Sequence, residues 1–295
     1  MAEQEESADG LPRQANAGPT ALRIQVGGHL RRLREHAHIS REDAGWAIRA
    51  SESKISRLEL GRSPFKERDV ADLLTLYGVA DDDERAKLLD LSQQASRPGW
   101  WHRHNDVLPH GFGTYLGLEE AASVIRVYES HTVPALLQTR DYARARTRFM
   151  LQDATGAEIE RLVDIQLRRQ RLLTEPGALR LWAVLDEAAL RRLGPDSPVM
   201  REQLDHLIHM GTLPNVTIQI VPFATGTFAL SGQSYTVLRF AEPDLPDVVF
   251  LEQPAGVLYM DKREEVETYL STMERLADAA AGHDDSAKMI TSLLG

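Results

Sequence analysis

Residues 21–95 carry their hydrophobic positions at helical spacing, in short runs separated by helix caps. In the first run, apolar or small side chains recur every three or four residues from Ile24 to Ala37, which places them on one face of a helix. Serine, aspartate and glycine stand where helices begin and end. The residues that mark these boundaries are Ser40, Ser51, Gly61, Gly78 and Asp81. The pattern predicts an all-α domain of five short helices, in which a tight turn separates the second helix from the third.

Residues 115–295 show helical patterns first and strand patterns later. The apolar residues between Leu118 and Tyr128 recur at helical spacing and predict a helix. Alternation in NVTIQIV predicts a half-buried strand, and LRLWAVL, SYTVLRF, DVVFLEQ and GVLYMD predict further strands. A last helix follows, for which Asp261 with Glu264 resembles a cap. Helices followed by clustered strands predict a larger α+β domain.

Two segments lack such patterns. Residues 1–20 are polar and without periodicity, and we expect a disordered tail. Residues 96–114 are rich in Pro, Gly and His and are expected to link the two domains. Because adjacent exposed tryptophans are unfavourable, we expect Trp100 and Trp101 to dock this linker against a domain. A ligand-gated hinge at these tryptophans is one hypothesis, and simple packing is the other.

Charge is unevenly distributed along the chain. Residues 23–66 include ten basic and five acidic side chains, whereas the whole chain has a net charge of −10. A basic segment on an acidic body indicates a module that faces nucleic acid. The alternative interpretation is a solvated helical bundle in which basic residues cluster by chance.

Composition excludes several classes of protein. The chain has 295 residues, 42% hydrophobic and 26% charged, which is typical of globular domains. It has no cysteine, so disulfides, thiolate metal sites and cysteine nucleophiles are excluded. No run approaches the roughly 18 apolar residues of a membrane span, and residues 1–20 have no hydrophobic stretch. We therefore expect a cytoplasmic protein without a membrane partner.

The helical segment resembles a known type of DNA-binding domain. The sequence HLRRLREHAHISREDAGWAIRASESKISRLELGR is similar to the helix-turn-helix domain of the XRE family, the phage-repressor type. The resemblance implies that a recognition helix, about residues 51–60, lies in the major groove. It also implies that Arg34 of the first helix pairs with Glu59 and braces the recognition helix.

The same resemblance assigns roles to individual residues. It implies that Ser51, Glu52, Ser53 and Arg57 read base edges, with Arg57 suited to guanine and Glu52 to the cytosine amino group. Lys54 and Ser56 are candidates for phosphate contact. Arg41 and Arg62 are expected to contact the DNA backbone, which positions the domain without reading sequence. Arg41 stands where the family usually has Gln, and its side chain cannot both donate and accept as an amide does.

Motifs in residues 115–295 extend the resemblance to nearly the whole chain. YESHTVPALLQTRDYARA, DIQLRRQRLL, LWAVLDEAALRR, MREQLDHLIHM, NVTIQIVPF and VVFLEQPAGVLYMD are similar to WhiJ-type regulators of sporulating soil bacteria, which join an XRE domain to an uncharacterised C-terminal domain. One departure is Ala135, where the pattern usually has Gly. The resemblance implies regulation by a partner bound to the C-terminal domain, with a small acidic protein encoded nearby as the candidate.

Catalytic and metal-binding patterns are weak. The sequence has no GxSxG, HExxH, P-loop or GxGxxG motif. A group of possible ligands is formed by His102, His104, Asp106 and His110, but a polar linker is the favoured explanation. His206 and His209 lie one helical turn apart on what reads as a solvated face. We predict no enzymatic activity, no cofactor and no metal site.

The sequence as a whole predicts a sequence-specific, nucleoid-associated transcriptional regulator. Double-stranded DNA is the expected partner, at a palindromic operator. A homodimer is expected because one helix-turn-helix reads only a half-site. The alternative is an antitoxin-like interaction protein that binds a small partner and autoregulates its own operon. An enzyme with a DNA-targeting domain is a third possibility, which would require catalysis dependent on His102 or His206.

Overall fold

Helices make up the first part of the chain. The computed structural model describes residues 18–194, 197–226, 233–241, 246–253 and 256–294. The first five helices are α1 (Pro19–His36), α2 (Arg41–Ala47), α3 (Glu52–Glu59), α4 (Glu67–Leu76) and α5 (Asp82–Ala95). They enclose a core that includes Val26, Leu30, Ile55, Leu58 and Leu74. The predicted five-helix domain is confirmed.

The predicted helix boundaries form as local hydrogen bonds. Ser40 accepts from the Asp43 N–H at 3.0 Å, and Asp81 accepts from the Glu84 N–H at 2.8 Å. Ser51 likewise accepts from the Lys54 N–H at the start of α3. Gly61 and Gly78 adopt φ angles of +66° and +76°, the left-handed conformation that glycine favours after a helix. The predicted caps are therefore confirmed.

A six-stranded mixed sheet organises the rest of the chain. Its strands are β1 (Val124–Glu129), β2 (Arg180–Asp186), β3 (Val216–Val221), β4 (Tyr235–Arg239), β5 (Val248–Gln253) and β6 (Gly256–Met260). The strand order is β3-β2-β1-β4-β5-β6, with β1, β2 and β3 parallel and the other pairs antiparallel. This is the predicted larger α+β domain.

Helices cover both faces of the sheet. They are α6 (Phe112–Ala121), α7 (Arg140–Met150), α8 (Gly156–Arg169), α9 (Glu187–Arg191), α10 (Pro198–Gly211), α11 (Arg263–Ala279) and α12 (His283–Ser292). On one face, α11 packs Val266, Met273 and Leu276 against Tyr128 and Val184. The larger core, on the other face, draws on α6, α8, α10 and α12.

The helix predicted from Leu118 to Tyr128 is wrong beyond Ala121. The chain leaves α6 and enters β1, which lies between β2 and β4 in the sheet. Ile125 and Val127 face one core and Tyr128 faces the other. A central strand is apolar on both faces, so its alternation is hidden and a helical period fits by coincidence. The predicted Asp261 cap is also wrong, since α11 begins after Lys262 without a side-chain cap.

The expected linker packs closely against the second domain. Residues Trp100–His104 form a 3₁₀ helix. Trp101 is 3% exposed within the larger core, and the Arg168 guanidinium lies 4.2 Å above the Trp100 ring. Both tryptophans therefore anchor residues 96–114. The predicted tail differs at its end, because α1 begins at Pro19; the rest of the tail, residues 1–17, lies outside the described residues.

The first helix, α1, joins the two domains. Its Val26 and Leu30 lie in the helical core, whereas Ile24 lies in the larger core of the second domain. A Cβ at Gly117 of α6 would approach Thr20 Oγ1 to 2.2 Å, so any larger residue at this crossing of the two helices would have to displace Thr20. The helical domain and the α+β domain therefore share a packed interface.

Candidate nucleic-acid interface

A tight turn sets the angle between α2 and α3. The Ala50 N–H donates to the Gly45 carbonyl at 2.8 Å, and a Cβ at Gly45 would lie 2.7 Å from the Ala50 oxygen. Within the turn, Arg49 has a φ of +56°; among the described non-glycine residues only His38 shares this left-handed backbone. The turn is therefore tight because Gly45 has no side chain, and it requires a strained left-handed backbone at Arg49.

The recognition helix divides sharply into two faces. Ile55 and Leu58 are 1% and 2% exposed and fix the inner face against the core. The exposed face carries the predicted base-reading residues Ser51, Glu52, Ser53 and Arg57. Among the described residues, no ion pair or hydrogen bond holds the Arg57 guanidinium. This face is therefore available to a ligand of complementary shape.

A buried ion pair fixes the end of α3 to α1. Arg34 Nε donates to Glu59 Oε1 at 2.5 Å and Arg34 Nη2 donates to Glu59 Oε2 at 3.2 Å. The side chains are 8% and 3% exposed. Burial alone would lower the pKa of Arg34, but the hydrogen bond and charge of Glu59 raise it overall. The arrangement has the bracing geometry that the sequence resemblance implied.

Arg41 takes part in the same network, which sequence reasoning did not anticipate. Its Nε donates to Glu59 Oε2 at 3.1 Å, so Glu59 receives hydrogen bonds from both arginines. About a third of the Arg41 side chain remains exposed. Arg41 thus connects the start of α2 to the end of α3 with a charged group. Its expected phosphate contact stays a prediction.

Lys54 and Ser56 lie at the edge of the exposed face. Lys54 Nζ is 2.7 Å from Asp69 Oδ2, which ties α3 to α4. The Lys54 side chain is 30% exposed and Ser56 is half-buried. Their predicted phosphate contacts remain predictions, and for Lys54 such a contact would compete with Asp69.

Arg62 lies elsewhere, at the contact between the domains. Its Nη1 is 3.0 Å from Asp261 Oδ2, its side chain is 14% exposed, and its guanidinium lies 5.8 Å from the centre of the Tyr259 ring. Burial lowers the pKa of Arg62, while Asp261 and Tyr259 oppose that change. The side chain points away from solvent, into β6 and the residue after it. The predicted DNA contact of Arg62 stays a prediction, and it would require this pairing with Asp261 to break.

One exposed side chain near the interface was overlooked in the sequence. Trp46 of α2 is 87% exposed, although tryptophan is usually part of a core. Helical spacing could have indicated this exposure. Trp46 lies two residues from both Ala44 and Ile48, which are buried, and residues two apart on a helix face opposite sides.

Two of the possible metal ligands of the linker, His104 and Asp106, are engaged in other contacts. Asp106 receives two hydrogen bonds from Arg161, at 2.6 and 2.7 Å. His104 Nε2 accepts from Arg103. Among the described residues no three His, Asp or Glu side chains come together as a metal site. Ala135, which follows β1, begins a 3₁₀ turn and has no positive φ, so its departure from Gly introduces no strain.

Family comparison assigns both parts of the chain. Residues 25–88 match a helix-turn-helix domain, and residues 112–292 match a domain of unknown function, DUF5753. No curated protein and no solved structure is significantly similar to the chain. No helix of the described residues is long and apolar enough to cross a membrane. The helix-turn-helix supports a DNA-binding regulator, and the chain belongs to the DUF5753 family.

Proposed function

We propose that this protein is a sequence-specific transcriptional regulator that reads double-stranded DNA with α3. The observation that carries the proposal is the exposed face of α3, where Ser51, Glu52, Ser53 and Arg57 stand clear of the core. In a helix-turn-helix this face enters the major groove, with its N-terminal residues toward base edges. The proposal assigns no catalytic residue.

The chemistry of this face supports base recognition. The Arg57 guanidinium can donate two parallel hydrogen bonds to O6 and N7 of guanine, and the Glu52 carboxylate can accept from the amino group of cytosine. Arg41, Lys54 and Ser56 lie beside the face and are proposed to contact phosphates, which fixes orientation without reading sequence. The Arg34–Glu59 pair holds the helix in place for these contacts.

We further propose that the DUF5753 domain makes the protein a homodimer and makes it responsive to a ligand or partner. One helix-turn-helix reads a half-site, so a two-fold pair would read a palindromic operator. The packed contact of α1 with α6 supports the proposed response of DNA binding to a ligand or partner, because it connects the DNA-reading helices to the DUF5753 domain.

Fluorescence anisotropy with DNA from upstream of the protein's own gene tests this proposal. We expect tight, salt-dependent binding that scrambled DNA does not reproduce. Arg57→Ala should weaken specific binding by about 1–3 kcal/mol and relax preference at one base position. Arg68→Ala is the matched control, because this arginine is exposed on α4 and only loosely paired with Asp72. Equal binding of both variants to both DNAs would contradict reading by α3.

An antitoxin-like interaction protein is the second candidate function. Phe149, Met150 and Leu151 at the end of α7 are 77%, 53% and 41% exposed, and adjacent exposed apolar side chains favour a protein partner. A pull-down with the full chain should then recover a small protein encoded nearby, and Phe149→Ser should abolish recovery. Growth arrest after loss of this chain alone, relieved by loss of both, would favour this candidate over a dedicated regulator.

A further inference from the structure

A cavity of about 930 Å³ opens in the DUF5753 domain. Its floor is formed by β1, β4 and β5, and its walls by α6, α7, α8 and the segment 130–138. The volume lies at the upper end of the range for sites that take small organic molecules. Much of the wall is apolar: the Tyr115 and Phe250 rings pack with their centres 4.0 Å apart and their planes tilted by 31°, and Ile125 and Leu162 also line the cavity.

Most charged groups in this cavity already have partners. Arg169 donates to both oxygens of Glu119 at 2.7 and 2.8 Å, and these side chains are 7% and 1% exposed. Arg146 donates to Glu252 at 3.1 Å. Each of these pairs is neutral as a unit, so neither supplies a free charge to a ligand.

Glu129 is the exception. It is the last residue of β1 and lines the cavity. The Thr132 hydroxyl donates to its Oε2 at 3.2 Å, but no basic side chain among the described residues lies within 4 Å of its carboxylate. Burial raises the pKa of Glu129 to about 7, and Glu252 adds to the rise, while Ser234, Arg146 and Thr132 oppose it. The Glu129 side chain is half-buried in the cavity wall. A carboxylate partly withdrawn from water without a paired cation is unfavourable, and a cation at this point would relieve the cost.

We propose that the cavity binds a small molecule with an apolar, ring-containing body and a protonated amine that pairs with Glu129. The aromatic wall formed by Tyr115 and Phe250 accommodates the body. The carboxylate at the end of β1 and the neighbouring hydroxyl of Thr132 accommodate the amine. An anionic ligand is disfavoured, because the arginines of the cavity are already held by Glu119 and Glu252.

The cavity is in direct contact with the elements that hold the DNA-reading helices. Val257 of β6 lines it, and the next residues of that segment, Tyr259 and Asp261, contact Arg62. On the other side, α6 lines the cavity with Tyr115 and packs on α1 at Gly117. Binding of an amine in the cavity does not depend on the proposed function. That such a ligand would alter DNA binding rests on that proposed function.

Titration of the full chain with dansylcadaverine, a fluorescent primary amine, tests the inference without DNA. The matched probes are its N-acetylated, neutral form and dansyl-aminohexanoic acid. We expect the amine to bind at least tenfold more tightly than either. Glu129→Gln should remove this preference, whereas Glu202→Gln, an exposed residue of α10, should keep it. Equal binding of the three probes, no binding of the amine, or an unchanged preference in Glu129→Gln would overturn the inference.

A second variant keeps the test decisive if Glu129→Gln does not fold, as judged by circular dichroism. Thr147 of α7 lines the cavity and is half-buried, so Thr147→Trp should fill space and abolish binding of the amine. Full affinity in Thr147→Trp would show that the probe binds elsewhere and would overturn the proposal. If the amine does not bind in the cavity, the proposal that α3 binds DNA is unaffected, so the two proposals are tested separately.

Discussion

The pair formed by Arg34 and Glu59 shows how a few atoms fix α3, the proposed DNA-reading helix. Glu59 is 3% exposed and receives hydrogen bonds from two arginines. Removing one member of a buried ion pair leaves the other charged and unpaired. We therefore expect Glu59→Ala to lower the free energy of unfolding by about 3 kcal/mol, measured by urea denaturation.

Glu52→Ala is the control for that change, because Glu52 is exposed on the same helix. It should leave stability nearly unchanged and alter base preference instead. If Glu59→Ala changed specificity at an unaltered melting temperature, Glu59 would be a reader and not a brace.

The carboxyl group of Glu129 should make stability depend on pH. Its folded-state pKa of about 7 lies above the ordinary value of 4.5, chiefly because of burial. The folded chain therefore binds more protons than the unfolded chain between these values, and stability falls as pH rises through this window. Glu129→Gln removes the effect, so the variant should gain stability relative to the native protein at pH 8 compared with pH 4.5.

Urea denaturation at both pH values measures that gain. The charged groups near Glu129 that oppose each other are Arg146, which lowers its pKa, and Glu252, which raises it. Glu202→Gln serves as the exposed control and should show no comparable trend. A stability difference for Glu129→Gln that is the same at pH 4.5 and pH 8 would contradict the raised pKa.

At the scale of elements, alanine substitution at two adjacent glycines of α1 should change stability in opposite directions. A Cβ at Gly27 would lie 2.4 Å from the Leu58 carbonyl oxygen and 2.6 Å from that of Glu59, which are backbone atoms of α3. A Cβ at Gly28 would meet only Arg32 Nη1, at 3.9 Å. Gly27→Ala should therefore displace α3 and lower stability by about 1–3 kcal/mol.

Gly28→Ala should instead raise stability by about 0.5–1 kcal/mol, since alanine favours the helix and meets no obstacle. Thermal denaturation of the two variants, paired with anisotropy on operator DNA, compares them directly. We expect only Gly27→Ala to weaken DNA binding. If the two variants had equal thermal stability and equal DNA affinity, the α1–α3 contact would not set the position of the recognition helix.

Elements defined by local signals could be predicted from the sequence, and elements defined by distant contacts could not. The caps at Ser40, Ser51 and Asp81 depend on residues three positions away, so the five helices were predicted. Strand β1 was not, because burial on both faces comes from strands and helices far along the chain. The cavity around Glu129 was missed for the same reason, since its walls come from separate segments.

At the scale of the whole molecule, Arg62 distinguishes a DNA contact from a domain contact. Because Arg62 pairs with Asp261, Arg62→Ala should leave the salt dependence of DNA binding unchanged. Loss of a phosphate contact would instead reduce the slope of log affinity against log salt by about 1. Lys54→Ala, at the edge of the exposed face, should show that reduction. A reduced slope in Arg62→Ala would mean that the domains separate on DNA and release this arginine.

The placement of α1 in two cores has a consequence for evolution and engineering. Ile24 is buried in the DUF5753 domain, while Val26 and Leu30 are buried in the helix-turn-helix domain. A new side chain in this helix must therefore fit the packing of both domains. Because they share α1, the two domains should unfold together, in a single calorimetric transition. A chimera that moves these DNA-reading helices onto a foreign sensor must carry α6 with them, or it will expose Ile24 to water.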